Sequence, residues 1–307
     1  MEIRSAAILG AGAIGGYFIA GLADKMGDDL WVIAEGDRAE RLSREGITVN
    51  GRNIPLHVKS PEEAKGADLL IVCVKYNALE ESLPAIEAIT DAHTVVMSTL
   101  NGVDSEEIIG EKIGMEHLVY SVMKVSSRRT ADEIRFNAAA SLGVFFGEKD
   151  GTESERVLAI RDLFEGTEVH YQIREHIWQE IWYKYASNIS KNIPQAILDF
   201  GYGAYLTSSH VLAISDRMRE EVIRVAAARG VDISDPDNPA GKIPANMSPD
   251  AHFSTWQDLD AKRQTEIEMF CGTLVRMGRE LGVETPFNEF AYHAVKALEE
   301  KNSGLFR

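Results

Sequence analysis

The amino-acid sequence predicts an α/β chain in two parts, a doubly wound domain built on a parallel sheet followed by an all-α domain. Three observations carry this. Short β-rich runs alternate with helical ones through the first half, a glycine-rich turn "GAGAIGG" joins the first strand to the first helix, and after about Tyr171 helical periodicity runs almost to the last residue. The expected domains are therefore residues 1–172 and 173–307.

In order along the chain, "IRSAAILG" reads as a strand, the segment after Gly15 as a helix, and "DDLWVIA" as a second strand. A short helix from Asp37 to about Glu45 follows, because Asp37 and Glu40 have capping-box spacing and Gly46 is a natural stop. "DLLIVCVK" (68–75) is a nearly continuous apolar run, as a parallel strand buried on both faces requires. A helix over "NALEESLPAIEAI" and strands over "TVVMSTLNG" and "HLVYSVMKVSS" continue the alternation, and "DEIRFNA" with "SLGVFFGE" reads as an antiparallel pair closing the sheet. Apolar stripes of helical period then cover 176–192, 208–229, 255–281 and 286–301, with Thr285 before Pro286 as a helix start and the loop 232–250 as a connection.

With 307 residues, 45% hydrophobic and 26% charged, the chain has the composition of a two-domain globular protein. Its formal charge of -16 argues against nonspecific binding to nucleic acid or to an anionic membrane, which both need a basic surface. The uncharged run 6–23 contains five glycines, so it reads as strand, turn and helix rather than as a membrane span. Cys73 and Cys271 lie in apolar runs without partners at ligand spacing, which points to reduced core thiols in the cytoplasm. No cluster of His, Asp and Glu has metal-ligand spacing.

The turn places Gly10, Gly12 and Gly15 at G-x-G-x-x-G spacing, with Ala13 and Ile14 between them. Glycine-rich turns are common, but this one follows a strand and opens a helix. In that context the backbone can approach a pyrophosphate and the helix N-terminus faces it, which is the Rossmann dinucleotide fingerprint. Glu35 lies at the end of the second strand, where a carboxylate accepts hydrogen bonds from the adenosine ribose and repels a 2′-phosphate, so it favours NADH, although Arg38 or Arg41 stands close enough in sequence to meet a phosphate. Lys75 and Asn101 fall just past the carboxyl ends of their strands, at the sheet edge where open α/β folds bind ligands.

In "EIWYKYASNISKN", taking Lys184 as zero, Asn188 falls at about 40°, Lys191 at about -20° and Asn192 at about 80° on a helix, beside the apolar arc of Trp178, Ile181, Trp182, Tyr185 and Ile189. This polar stripe borders a buried face. A lysine so placed suits proton donation, and amides beside it can bind a carbonyl or hydroxyl without adding charge. A solvated helix face explains the same segment equally well. In "HFSTWQDLDAKRQTEIEMF", Ser254 stands at the start of a helix it could cap, and Asp258 and Glu266 lie along it; spacing alone does not single out Glu266.

The ordered set "GAGAIGG", "VCVK", "LNG", "EIWYKYASN" and "STWQDLDAKRQTEIE" resembles the ketopantoate reductase (2-dehydropantoate 2-reductase) family over essentially the whole chain. The resemblance implies a Rossmann domain followed by a helical one, and reduction of a 2-oxo acid to a 2-hydroxy acid with a nicotinamide cofactor. It implies Lys184 as general acid, Glu266 hydrogen-bonding the substrate hydroxyl, Asn188 and Asn192 holding substrate polar groups, Ser254 on the carboxylate, and Asn101 with Lys75 on the cofactor side. Two departures stand out: Glu35 occupies the place of the family arginine that binds the NADPH 2′-phosphate, and "NIPQAI" from Asn192 replaces the usual Asn-Pro-Leu step. Ketopantoate with NADPH or NADH is the first reading, and a homodimer is possible. The others are an NADH-dependent D-2-hydroxy acid dehydrogenase of this fold acting on a branched or aromatic 2-oxo acid, a 3-hydroxy acid dehydrogenase, which would carry glycines just before Lys184, and a non-catalytic NAD(P) sensor.

Overall fold

The computed structural model describes residues 1–125, 127–130, 133–137, 139, 141–235, 238 and 247–306. The chain divides into two compact units, Met1–Ile177 and Trp178–Arg307. Ser126, Asp132, Ala138 and much of the loop 232–250, included in the segments read above, lie outside the described residues.

Unit 1 runs β1 (Ala6–Leu9), α1 (Ala13–Met26), β2 (Leu30–Ile33), α2 (Gly36–Glu45), β3 (Ile47–Val49), β4 (Arg52–Ile54), β5 (His57–Lys59), β6 (Leu69–Val72), α3 (Leu79–Ile89), β7 (Val95–Ser98), α4 (Ser105–Ile113), β8 (Leu118–Lys124), β9 (Ser127–Arg129), β10 (Ile134–Phe136), β11 (Gly143–Gly147), α5 (Glu155–Phe164) and β12 (Tyr171–Ile173). The main sheet has the order β12-β11-β8-β7-β6-β1-β2-β5, parallel except where β11 meets β8. Its central strands are buried on both faces, which is why they read as unbroken apolar runs. Ala6, Ile8, Leu69 and Ile71 point into one core with Phe18 and Leu22 of α1, whereas Ala7, Leu9, Leu70 and Val72 point into the other with Ile86 and Ile89 of α3. Burial of each such Leu or Ile contributes about 1.5–3 kcal/mol. The order reverses at β1, flanked by β2 and β6, and open α/β sheets bind ligands at the carboxyl edge of that point.

Several expectations need correction. The boundary at 172/173 cuts β12, which pairs in parallel with β11, so unit 1 extends to Ile177. Asp37 does not cap α2; the cap position is Glu35 and no side chain bonds there. The "DEIRFNA" and "SLGVFFGE" strands do not pair with each other. β11 joins β8, whereas β10 joins β9 and β3 in a separate sheet of order β4-β3-β10-β9. That sheet packs on α1, where Gly16 makes room for Ile134; a Cβ at Gly16 would lie 2.4 Å from Ile134 Cδ1. The hairpin β3–β4 was missed despite a clear signal, since Asn50-Gly51 (φ 48° and 81°) forms its two-residue turn.

Unit 2 contains α6 (Ile177–Leu198), α7 (Ala204–Thr207), α8 (Ser209–Ala228), α9 (Ser254–Asp260), α10 (Thr273–Leu281) and α11 (Pro286–Ser303). α6 passes through Pro194 and ends only before Asp199 (φ 53°), because Ile193, Pro194, Gln195 and Ala196 are buried and their packing outweighs the lost hydrogen bond. The helix expected over 255–281 is broken. α9 stops at Asp260, Lys262 takes φ 52°, and a π turn over Glu268–Gly272 leads into α10.

The glycine turn sets a stability requirement that can be measured. A Cβ on Gly15 would sit 1.9 Å from the Gly10 carbonyl oxygen, so the backbone would have to move. Gly15→Ala is expected to cost about 1–3 kcal/mol, as overpacking does, and to lower the thermal midpoint by several degrees. An unchanged midpoint would show that the turn is looser than this geometry requires.

Candidate active site

In unit 1 the residues singled out from the sequence converge on the carboxyl edge of the sheet. Gly10 leaves β1 with φ 105°, and a Cβ there would lie 2.8 Å from the Cys73 carbonyl group, so the turn rests backbone to backbone on the end of β6. Gly12 precedes α1 and Gly15 closes against Gly10, but a Cβ on Gly12 would meet nothing within 4 Å. The first turn of α1 carries no acidic side chain and no capping side chain, so its N-terminal N–H groups, including those of Ala13 and Ile14, remain available to an anion. This open space over a helix N-terminus fits the pyrophosphate of a dinucleotide.

Lys75 and Asn101 each stand three residues past their strands, β6 and β7, in adjacent loops. The Thr99 hydroxyl ties the loops together by donating to the Val72 carbonyl at 2.9 Å, with Cys73 Sγ 3.3 Å from its oxygen. Tyr76 adds a second tie, its hydroxyl donating to Asp104 Oδ2 at 2.7 Å. Glu35 is exposed at the start of α2, in extended backbone, with Arg38 and Arg41 also exposed.

Unit 2 holds the second group on α6. Lys184 and Asn188 are half-buried and Asn192 is buried, bordering Trp182, Tyr185 and Ile189, which are almost wholly buried. Lys191 does not share their surroundings. Its ammonium donates to Ser215 Oγ at 2.9 Å over the Tyr205 ring, and burial pulls its pKa below the ordinary lysine value against the opposing pull of Asp216.

Ser254 and Glu266 differ from the expected arrangement. Ser254 is the first residue of α9, not its cap; Phe253 takes the cap position and no side chain bonds there. Glu266 is half-buried on the irregular stretch before the π turn, not on a helix. That stretch is pinned on both sides: Arg263 pairs with Asp258 at 2.8 Å, and the Thr265 N–H and hydroxyl both donate to Glu299 at 2.7 Å.

Two residues that sequence reasoning missed tie these pieces to α6. The Tyr185 hydroxyl, one residue beyond Lys184, donates to the Phe270 carbonyl at 2.5 Å, with the Met269 carbonyl 3.2 Å away, just after Glu266. The Gln195 side chain, fully buried, donates to the Ala251 carbonyl at 3.0 Å and accepts from the Phe253 N–H at 2.6 Å, directly before Ser254. A glutamine on the apolar side of a helix was the available signal for the second tie, because a buried amide needs partners.

Glu106, in the first turn of α4, also escaped the sequence reading. It is 3% exposed, and burial pushes its carboxyl up to about 7 against the lowering effect of hydrogen bonds from Ser105 and from the backbone N–H groups of Glu106 and Ser121. Among the described residues no group of His, Cys, Asp and Glu could hold a metal ion, and no helix is long and apolar enough to cross a membrane.

Comparison with known proteins agrees with this layout. Residues 6–151 match the family model described as ketopantoate reductase PanE/ApbA, and residues 176–299 match its C-terminal model. The 2-dehydropantoate 2-reductase of Pyrococcus horikoshii is 26% identical over 306 residues, covering 97% of this chain and 98% of that protein. A crystal structure of a PanE/ApbA family ketopantoate reductase from Ralstonia eutropha JMP134 superposes with a TM-score of 0.81 at 24% identity, over 97% of this chain and 99% of that one. The ternary structure of D-mandelate dehydrogenase with NADH and anilino(oxo)acetate gives 0.84 at 22% identity with the same coverage. With both units matched in order by its models, the chain belongs to the ketopantoate reductase family.

Proposed function

We propose that this protein is a 2-dehydropantoate 2-reductase, an NAD(P)H-dependent oxidoreductase that reduces ketopantoate to pantoate. The observation that carries the reading is a half-buried lysine on the apolar helix α6, in a chain whose other unit presents an open glycine turn for a dinucleotide. The bound dihydronicotinamide supplies a hydride to C2 of the 2-oxo acid. Lys184 stabilises the negative charge that gathers on the carbonyl oxygen and donates the proton that completes the hydroxyl, then takes a proton back from solvent. Glu266 accepts a hydrogen bond from that hydroxyl. Asn188 and Asn192 hold the substrate's polar groups, Ser254 its carboxylate, and Asn101 and Lys75 the cofactor side. In this reading the first unit is the dinucleotide-binding domain and the second the substrate domain.

Glu35 turns the choice of cofactor toward NADH. A carboxylate at the end of β2 accepts from ribose hydroxyls and disfavours a 2′-phosphate, at a cost of about 1–3 kcal/mol for charges a few Å apart near the surface. The same feature, with the changed step after Asn192, supports the second reading: an NADH-dependent D-2-hydroxy acid dehydrogenase acting on another branched or aromatic 2-oxo acid. A sensor without turnover has no need of Lys184 and Glu266. The two unbridged cysteines suit a cytoplasmic setting.

We also propose that two copies of the chain pair through unit 2. Pro194, Leu198, Ile214, Met218, Phe287 and Phe290 line an apolar groove of about 380 Å³, and Phe290 remains 70% exposed. An apolar face of this kind marks an interface. Exposed Arg217–Glu220 and Arg279–Glu289 pairs stand nearby. In a chain of charge -16 this balanced rim is where a second, equally acidic copy meets least repulsion.

Two outcomes follow. Lys184→Ala should lower kcat by about 10²–10⁴-fold while dinucleotide binding, followed by nicotinamide fluorescence, stays as in the wild type; undiminished kcat would remove Lys184 from the mechanism. Light scattering should give twice the chain mass for the wild type and a single chain for Phe290→Glu. A single-chain wild type, or a variant that still pairs, would place the interface elsewhere or remove it.

A further inference from the structure

At the carboxyl ends of β7 and β8 the sheet separates. The strands keep parallel register at Val96 with Leu118 and Met97 with Val119. Beyond that point the Ser121 hydroxyl donates to the Ser98 carbonyl. The buried Glu106 carboxyl is linked to the end of β7 through Ser105. The loop that joins β7 to α4 carries Asn101.

The hydrogen bonds around Glu106 have a direction. When Glu106 is ionised, Ser105 Oγ donates its one proton to Glu106 Oε2 at 2.8 Å, so in its 2.8 Å contact with Ser98 Oγ it can only accept. Ser98 therefore donates to Ser105, and its oxygen accepts from the Leu100 N–H at 3.5 Å, next to Asn101. The acceptor at the end of this chain orients every hydroxyl in it. Its neighbour Glu107 shows the ordinary alternative: half-buried and 3.8 Å from Lys149, it complements the helix N-terminus from the surface. Glu106 instead bears the cost of burial, which a residue serving only the helix dipole would not.

We propose that Glu106 is a positioning residue, whose carboxyl, through Ser105 and Ser98, holds the Ser98–Asp104 loop so that Asn101 meets the nicotinamide side of the cofactor. The proposal rests on the reading of Asn101 as a cofactor-side residue.

The test is a cycle of Asn101→Ala, Glu106→Ala and the double variant, with Glu106→Gln and Ser105→Ala alongside, each titrated with NADH by nicotinamide fluorescence and assayed with a 2-oxo acid. Glu106→Ala should raise the dinucleotide Kd and KM at least about fivefold, and Glu106→Gln, which keeps one acceptor oxygen, should recover part of that loss. In the Asn101→Ala background the Glu106 effect should disappear, because it acts through Asn101. Ser105→Ala cuts the hydroxyl chain while keeping the Glu106 carboxyl, and should raise Kd in the same direction even if Glu106→Ala does not fold. Unchanged Kd and KM in the folded variants, with only a smaller active fraction, would overturn the proposal, as would independent effects in the double variant. A wild type that binds no dinucleotide would overturn the underlying reading and this inference with it.

Discussion

The backbone of Gly10 lies against the backbone of Cys73 with no room for a Cβ, and the arrangement of unit 1 depends on that approach. It sets the end of β1 beside the end of β6, turns the chain sharply into α1, and leaves the N-terminus of α1 open beneath Gly12. The same proximity puts the Lys75 loop next to the glycine turn, and Thr99 then draws the Asn101 loop alongside. Three loops from three neighbouring strands are held by backbone packing and a few hydroxyl groups. A site of this kind is preorganised by the sheet and needs little ordering when an anion binds.

Unit 2 achieves comparable rigidity through side chains. α6 is buried along most of its length, so Lys184, Asn188 and Asn192 are carried on a helix whose rotation is fixed by Trp182, Tyr185 and Ile189. The segment leading into Ser254 and the stretch bearing Glu266 have no regular structure, and Gln195 and Tyr185 bond backbone groups beside them. Glu266 is thereby presented from a non-helical stretch ahead of a π turn, a form of helix distortion frequent at functional sites.

The central strands were legible because burial on both faces leaves only apolar residues there, and the glycine turn because only glycine meets its backbone geometry. α6 was legible in its stripe but not in its length, since Pro194 reads as a stop and the burial that overrides it is tertiary. The small sheet was hidden by the shortness of its strands, although Asn50-Gly51 announced the hairpin. The break after Asp260 was invisible because Lys262 adopts φ 52° with no glycine to mark it. Glu106 looked like any acid at a helix start, and what distinguishes it is its burial and its link through Ser105 to Ser98 at the end of β7, which depend on the tertiary packing. The roles proposed for Lys184 and Glu266 were not in their spacing and came only through family resemblance.

We propose that this chain reduces ketopantoate, with Glu35 turning the choice of donor toward NADH. The most direct test offers ketopantoate to the wild-type protein with NADH and NADPH separately and follows the loss of nicotinamide absorbance. Turnover with ketopantoate, faster with NADH at limiting cofactor, is the predicted result. No turnover with either cofactor, while other branched or aromatic 2-oxo acids are reduced, would contradict the claim and make the protein a hydroxy acid dehydrogenase of the same fold.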